Sequence, residues 1–162
     1  MLEILYPGRC AICDEIEVTG NGICPSCKNK VHVVGEPACK KCGKPLVDER
    51  EEFCVDCGKK QHVYTQGKAV FVYEGGIRNS MYRFKYGNKR EYAEFYANAA
   101  AEKYGVWLKK IKAEVLIPVP MYSRKKRLRG YNQAEVFARA LGRKTGILVE
   151  EHFIKRVRNT TP

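Results

Sequence analysis

The sequence predicts an α/β protein whose amino-terminal third is a small module built on metal rather than on a large apolar core. Three observations carry that prediction. Eight cysteines fall into four C-x2-C pairs before residue 58, later residues alternate strand-like apolar runs with helical spacings, and one apolar run leads through a basic segment into a patterned helix. At 162 residues the chain has room for one ordinary domain, or for a small module joined to part of a larger one.

The four pairs are Cys10/Cys13, Cys24/Cys27, Cys39/Cys42 and Cys54/Cys57. Two thiolates separated by two residues in a tight turn can both point at one zinc ion, and two such knuckles close a tetrahedral shell. Successive pairs are separated by ten, eleven and eleven residues, which marks a duplicated unit of about 30 residues. Four pairs make two closed sites, and a closed site is structural rather than catalytic. Sequential pairing is the simplest arrangement, with the first two pairs on one Zn2+ and the last two on the other; spacing alone also permits pairs one with three and two with four. A redox role is disfavoured because no βαβ unit follows any pair. Gly43 and Gly58 follow their cysteines where a left-handed residue helps the backbone turn toward sulfur. Ile12, Ile16, Val18, Ile23, Val31 and Val33 are the apolar residues of the first half. So small a core requires metal, and chelation is expected to unfold this module first. His32 and His62 are surplus to the ligand count.

Lysine and arginine total 30 against 18 acidic residues, a formal charge of +12. Eight thiolates on two zinc ions reduce this to about +8, so a polyanionic partner remains plausible, either nucleic acid or a phosphorylated metabolite. The segment from Met1 to Pro7 has neither the basic nor the apolar region of a signal peptide, and no run approaches the ~20 apolar residues of a membrane span. A soluble, cytoplasmic protein is expected. In that reducing compartment cysteines serve as metal ligands rather than disulfides.

Residues 1–62 form the cysteine module and residues 67–162 the α/β part. Gly67 to Tyr73 reads as a strand. Ile77, Met81 and Phe84 recur at helical spacing up to Gly87. A second helix spans about Arg90 to Tyr104, with Tyr92, Phe95, Tyr96, Ala99 and Ala100 inward and Gly105 as its stop. Val115 to Val119 is apolar throughout, as in a strand covered on both faces. A basic segment then carries Arg124, Lys125, Lys126, Arg127 and Arg129, in the manner of an anion-binding loop between strand and helix, though a solvated charge run has the same composition. Asn132 to Lys144 forms a helix with Ala134, Phe137, Ala138 and Leu141 inward, Gly146 closes it, and Ile147 to Val149 is a further strand. Asn132 and Gln133 serve equally well as caps.

Four C-x2-C pairs, Val72-Tyr73-Glu74-Gly75-Gly76-Ile77-Arg78, Phe84-Lys85-Tyr86-Gly87, Leu116-Ile117-Pro118-Val119-Pro120 and Arg129-Gly130-Tyr131-Asn132-Gln133-Ala134 together resemble the ComF family. That resemblance implies a late-competence DNA-uptake protein in which a double zinc ribbon precedes a type I phosphoribosyltransferase domain. It implies a pyrophosphate loop at Met121 to Gly130, formed by Met121, Tyr122, Arg127, Arg129 and Gly130, that receives phosphoribosyl pyrophosphate (PRPP). It also implies a flexible loop beginning at Arg156, Arg158 and Thr160. The family continues into an aspartate pair and a Thr-Thr-Gly loop, which this sequence does not reach, so an incomplete transferase domain, inactive by itself, is expected.

Two classes of function follow. In the first, the chain handles single-stranded DNA on the cytoplasmic side during natural transformation, reaching the inner face of the membrane through a DNA-uptake translocase. Basic residues interleaved with aromatics, Arg83, Lys85, Lys89 and Arg90 among Tyr82, Phe84, Tyr86 and Tyr92, suit a backbone-tracking groove with base stacking. In the second, it transfers a phosphoribosyl group to an unknown acceptor. A zinc-ribbon adaptor for the translocase is a third role consistent with the same residues.

Overall fold

The computed structural model describes residues 7–159. Each half of the cysteine module repeats one local structure. In the first unit Cys10 N–H donates to Glu15 O at 2.8 Å and Asp14 N–H to Cys10 O at 2.9 Å; in the second, Cys39 donates to Lys44 O at 2.8 Å and Gly43 to Cys39 O at 2.8 Å. Antiparallel bridges Arg9–Ile16 and Ala38–Pro45 close the two knuckles. The second pair of each unit opens a short helix, α1 (Pro25–Lys28) and α2 (Val55–Lys59), with Cys24 and Cys54 as N-caps. The left-handed position after the knuckle is filled by Gly43 (φ 76°) and by Asp14 (φ 67°). Gly58 is not left-handed: it lies inside α2, where a helical residue suffices.

Residues 67–73 do not form a strand of the sheet. They run along the cysteine module through one antiparallel bridge, Val33–Phe71, flanked by Val34 N–H to Val70 O at 2.9 Å and Val72 N–H to His32 O at 2.8 Å. Glu74 is the N-cap residue of α3 (Gly75–Tyr86), which buries Ile77 and Phe84 as its spacing predicts; Met81 is half-buried, and Ser80 is buried in addition. The next helix, α4 (Tyr92–Lys110), buries Tyr92, Phe95, Tyr96 and Ala100 but leaves Ala99 half-buried. It does not stop at Gly105. A helical glycine costs about 1 kcal/mol relative to alanine, and anchors on both sides offset that. Tyr104 O–H donates to Ala69 O at 2.7 Å, and the Tyr104 and Trp107 rings meet edge-on at 6.2 Å.

Strand β1 is only Val115–Leu116 and pairs in parallel with β2 (Leu148–Val149), Val115 opposite Leu148. Pro118 and Pro120 lack N–H donors and end the ladder early. Among the described residues the sheet has two strands and lacks the expected double cover, and Val115 and Val119 stand exposed. Between the strands lie α5 (Ser123–Arg129) and α6 (Gln133–Thr145). Asn132 caps α6, its side-chain oxygen accepting Ala134 N–H at 3.1 Å, and Gly146 (φ 74°) closes it. Ala138 and Leu141 of α6 are buried, whereas Ala134 and Phe137 are half-buried. Helix α6 packs along α4, where small residues such as Ala97 and Ala140 allow close approach.

One buried core joins the two parts of the chain. Cys10, Ala11, Ile12, Ile23 and Cys27 pack with Ile77, Phe84, Tyr92, Phe95, Tyr96, Tyr131 and Leu141. The small core expected within the first cysteine unit is therefore not self-contained: Ile12 and Ile23 face the helices, while Ile16, Val18 and Val33 are exposed. Chelation thus acts on the helices as well as on the module.

Candidate metal centres and basic face

The eight sulfurs gather as two sequential clusters, Cys10/Cys13/Cys24/Cys27 and Cys39/Cys42/Cys54/Cys57, with all ligand atoms of a cluster within 4.8 Å of one another. A tetrahedral zinc shell with bonds of about 2.3 Å sets its sulfurs about 3.8 Å apart. Cys13 and Cys24 stand 3.7 Å apart, as do Cys42 and Cys54. Ile12 and Cys24 N–H groups each lie 3.4 Å from the Cys10 sulfur, as donors to a thiolate.

The electrostatics call for a cation. The Ser26 hydroxyl, with help from neighbouring thiols, draws the Cys24 thiol down to about 6. Burial and those same neighbours push Cys27 up to about 12. In the second cluster burial opposes ionisation of Cys39, yet N–H groups of Cys54, Cys42 and Lys41 bring it down to about 6. Desolvation and adjacent thiols raise Cys57 to about 12. Four close thiols cannot all ionise against one another, and a divalent ion removes that conflict. Each cluster offers four ligands and no open position, so both fit structural Zn2+.

The four basic residues expected on one nucleic-acid track have four different surroundings. Arg83 turns inward, its Nη2 donating to Ile12 O at 2.6 Å and Ala11 O at 3.3 Å. Lys89 is paired with Asp14 at 2.8 Å, both side chains mostly covered. Arg90 leans on the next segment, donating to Gly130 O at 3.2 Å with its guanidinium 5.0 Å from the Tyr131 ring. Of the four, Lys85 alone has no such partner among the described residues.

Among the aromatics, Phe84 and Tyr92 are core, at 3% and 1% exposure, whereas Tyr82 and Tyr86 are exposed at 65% and 62%. They sit one turn apart on the outer side of α3 with ring centroids 5.0 Å apart. The guanidinium of Arg129 lies 4.7 Å from the Tyr86 ring and is steadied by Nη1 to Gln133 Oε1 at 2.6 Å. Tyr131 holds this junction together, buried at 4% exposure, its hydroxyl donating to Phe84 O. Sequence spacing placed Arg129 and Tyr86 in unrelated motifs; the Tyr131 pin brings them together.

Residues 123–129, expected as an anion loop, are the helix α5 instead. From Lys126 onward the backbone N–H groups bond internally, with Lys126 N–H to Tyr122 O at 2.9 Å and Gly130 N–H to Lys126 O at 2.8 Å. Gly130 takes φ 83° as the helix C-cap, Tyr122 is the N-cap, and Met121 is half-buried. Arg127 is exposed, while Lys126 pairs with Glu135 at 2.7 Å. Arg156 and Arg158 are exposed beyond β2, Arg156 Nε donating to Arg158 O at 3.3 Å; Thr160 lies outside the described residues.

Residues 1–58 match the family described as the double zinc ribbon domain. No curated protein and no solved structure matches the chain. The amino-terminal segment is a double zinc ribbon carrying two four-cysteine centres.

Proposed function

We propose that the zinc ribbons and helices form an adaptor that holds single-stranded DNA on the face made by α3 and α5, and that it serves DNA uptake as ComF-type proteins do. The observation that carries this is the exposed Tyr82–Tyr86 pair with Arg129 stacked on it. Aromatic rings accept any base by stacking, and a nearby guanidinium adds cation–π and phosphate contact, so such a surface suits a strand of unspecified sequence. The net charge supports the same partner. No helix among the described residues is long and apolar enough to cross a membrane. Delivery to the membrane is assigned to a translocase partner. The test is fluorescence anisotropy with a labelled oligothymidylate: the Tyr82→Ala/Tyr86→Ala variant is expected to bind at least about tenfold more weakly. Unchanged affinity in that variant defeats the assignment.

The parallel β1–β2 pair favours a second ligand. Residues 117–130 leave the carboxyl end of β1, where open α/β sheets bind nucleotides. In this alternative PRPP is held by the side chains of Arg127 and Arg129, because α5 uses its backbone N–H groups from Lys126 onward internally. Calorimetry with PRPP on the native chain and on Arg127→Ala/Arg129→Ala decides it. Binding abolished by the substitutions supports the site, and tight binding that survives them refutes this placement.

A further inference from the structure

Two cysteine clusters of nearly equal spacing sit in unequal surroundings. Cys10 and Cys27 belong to the core shared with α3 and α4, whereas no cysteine of the second cluster does among the described residues. The contrast is sharpest at the carbonyls inside each knuckle. Those of Ala11 and Ile12 accept from the Arg83 guanidinium on α3. Among the described residues their counterparts, Lys40 O and Lys41 O, accept from the coil that follows the ribbons, Gln66 Nε2 at 3.0 Å and Gly67 N–H at 2.6 Å.

Further ties repeat the difference. Asp14, at the end of the first knuckle, accepts the Tyr92 hydroxyl at 2.7 Å and Lys89 at 2.8 Å. Gly76 at the start of α3 lies so close that a Cβ there would meet Ile12 Cγ2 at 2.8 Å. The Arg83 Nε is buried with no hydrogen-bond partner among the described residues, so this guanidinium is seated by its knuckle contacts and by the Tyr92 ring at 5.9 Å.

We infer that the two zinc ions exchange on different scales, the ion of Cys10, Cys13, Cys24 and Cys27 leaving only when the α3–α4 core opens, with Arg83 as the positioning residue that sets the difference. A ligand cannot depart until its knuckle opens. Opening the first knuckle breaks charge-assisted bonds and exposes core, which makes it a sub-global event. Opening the second breaks neutral bonds at the surface, a local fluctuation. The inference is independent of what the aromatic face binds.

The test mixes zinc-loaded protein with excess chromogenic chelator and follows metal release. Two phases of equal amplitude are expected, with Cys57→Ser removing the fast one and Cys13→Ser the slow one. Arg83→Met is expected to accelerate the slow phase by about tenfold or more and leave the fast phase unchanged. Arg83→Lys recovers part of the slow rate. Should Arg83→Met fail to fold, Tyr92→Phe, which removes only the bond to Asp14, is expected to accelerate the same phase by about threefold. Amide exchange of residues 75–86 supplies a second readout: protection falls with loss of the slow ion and not of the fast one. Release of both ions in one phase, a fast phase that survives Cys57→Ser, or equal acceleration of both phases by Arg83→Met overturns the inference.

Discussion

Salt provides a quantitative handle on the proposed DNA face. The end of α3 and the helix α5 carry Lys85, Arg124, Arg127 and Arg129, none of them in an ion pair among the described residues, while Lys126 and Lys89 are already paired with Glu135 and Asp14. If those four meet phosphates, counterion release sets a slope of log affinity on log salt of about −0.7 per contact, or about −2.8 in total. Raising salt fourfold, from about 50 to about 200 mM, then weakens binding about 50-fold. Anisotropy of labelled single-stranded DNA across a potassium chloride series measures the slope directly. Replacing Arg127 and Arg129 by alanine is expected to halve it, leaving about a sevenfold loss over the same range. Lys89→Ala is expected to leave the slope alone, because its ammonium already serves Asp14. A flat response, or a slope that Lys89→Ala lowers and the double arginine variant does not, refutes the assignment of the face.

Other substitutions test the framework. In Gly43→Ala the new Cβ lies 2.6 Å from Ala69 N at φ 76°. Left-handed strain and overpacking together predict a loss of about 2–5 kcal/mol in urea unfolding, with metal stoichiometry falling from two toward one. Asn132→Ala removes the α6 cap and the donor to Val119 O at 3.0 Å, an expected cost of about 2 kcal/mol. Asn132→Asp restores only the cap and is expected to recover part of the loss. The Arg139 guanidinium holds the Glu151 carboxyl below its usual range. The pair's stability is therefore fully present above pH about 4.5 and disappears as pH falls through the lowered folded value. Arg139 is exposed, so the contribution is under about 1 kcal/mol. It is read as a difference between native chain and Glu151→Gln that exists at pH 7 and shrinks toward pH 4.

What the sequence reveals and what it hides follow from the range of the interactions. Cysteine pairs are legible because two residues of spacing fix ligand geometry wherever the turn sits. Helix α3 is legible because Ile77, Met81 and Phe84 recur at helical spacing, and the left-handed Gly146 is legible as a helix stop. Gly105 misleads because its helix is held by Tyr104 reaching Ala69, 35 residues away. Val115 to Val119 misleads because a composition suited to a covered strand says nothing about whether a cover is present. Arg83 is the sharpest case. It carries the charge of a DNA contact, yet its acceptors lie 71 and 72 residues earlier in the chain. Only a fold that lays α3 against the first knuckle turns that charge inward. The aromatic face was half legible: interleaved rings and cations are visible in the string, but the division into Phe84 and Tyr92 inside and Tyr82 and Tyr86 outside depends on where the core lies.

The unlike residues at the left-handed position of the two knuckles separate what can be transplanted from what cannot. Gly43 needs no side-chain partner for its turn, so the second unit suits grafting, as a short metal-closed insert, onto an unrelated scaffold once residues 66–69, which close over its knuckle, are carried with it. Asp14 occupies the same strained geometry only because Tyr92 and Lys89 receive its carboxylate. Copied elsewhere with all four cysteines intact, the first unit would arrive without its foundation.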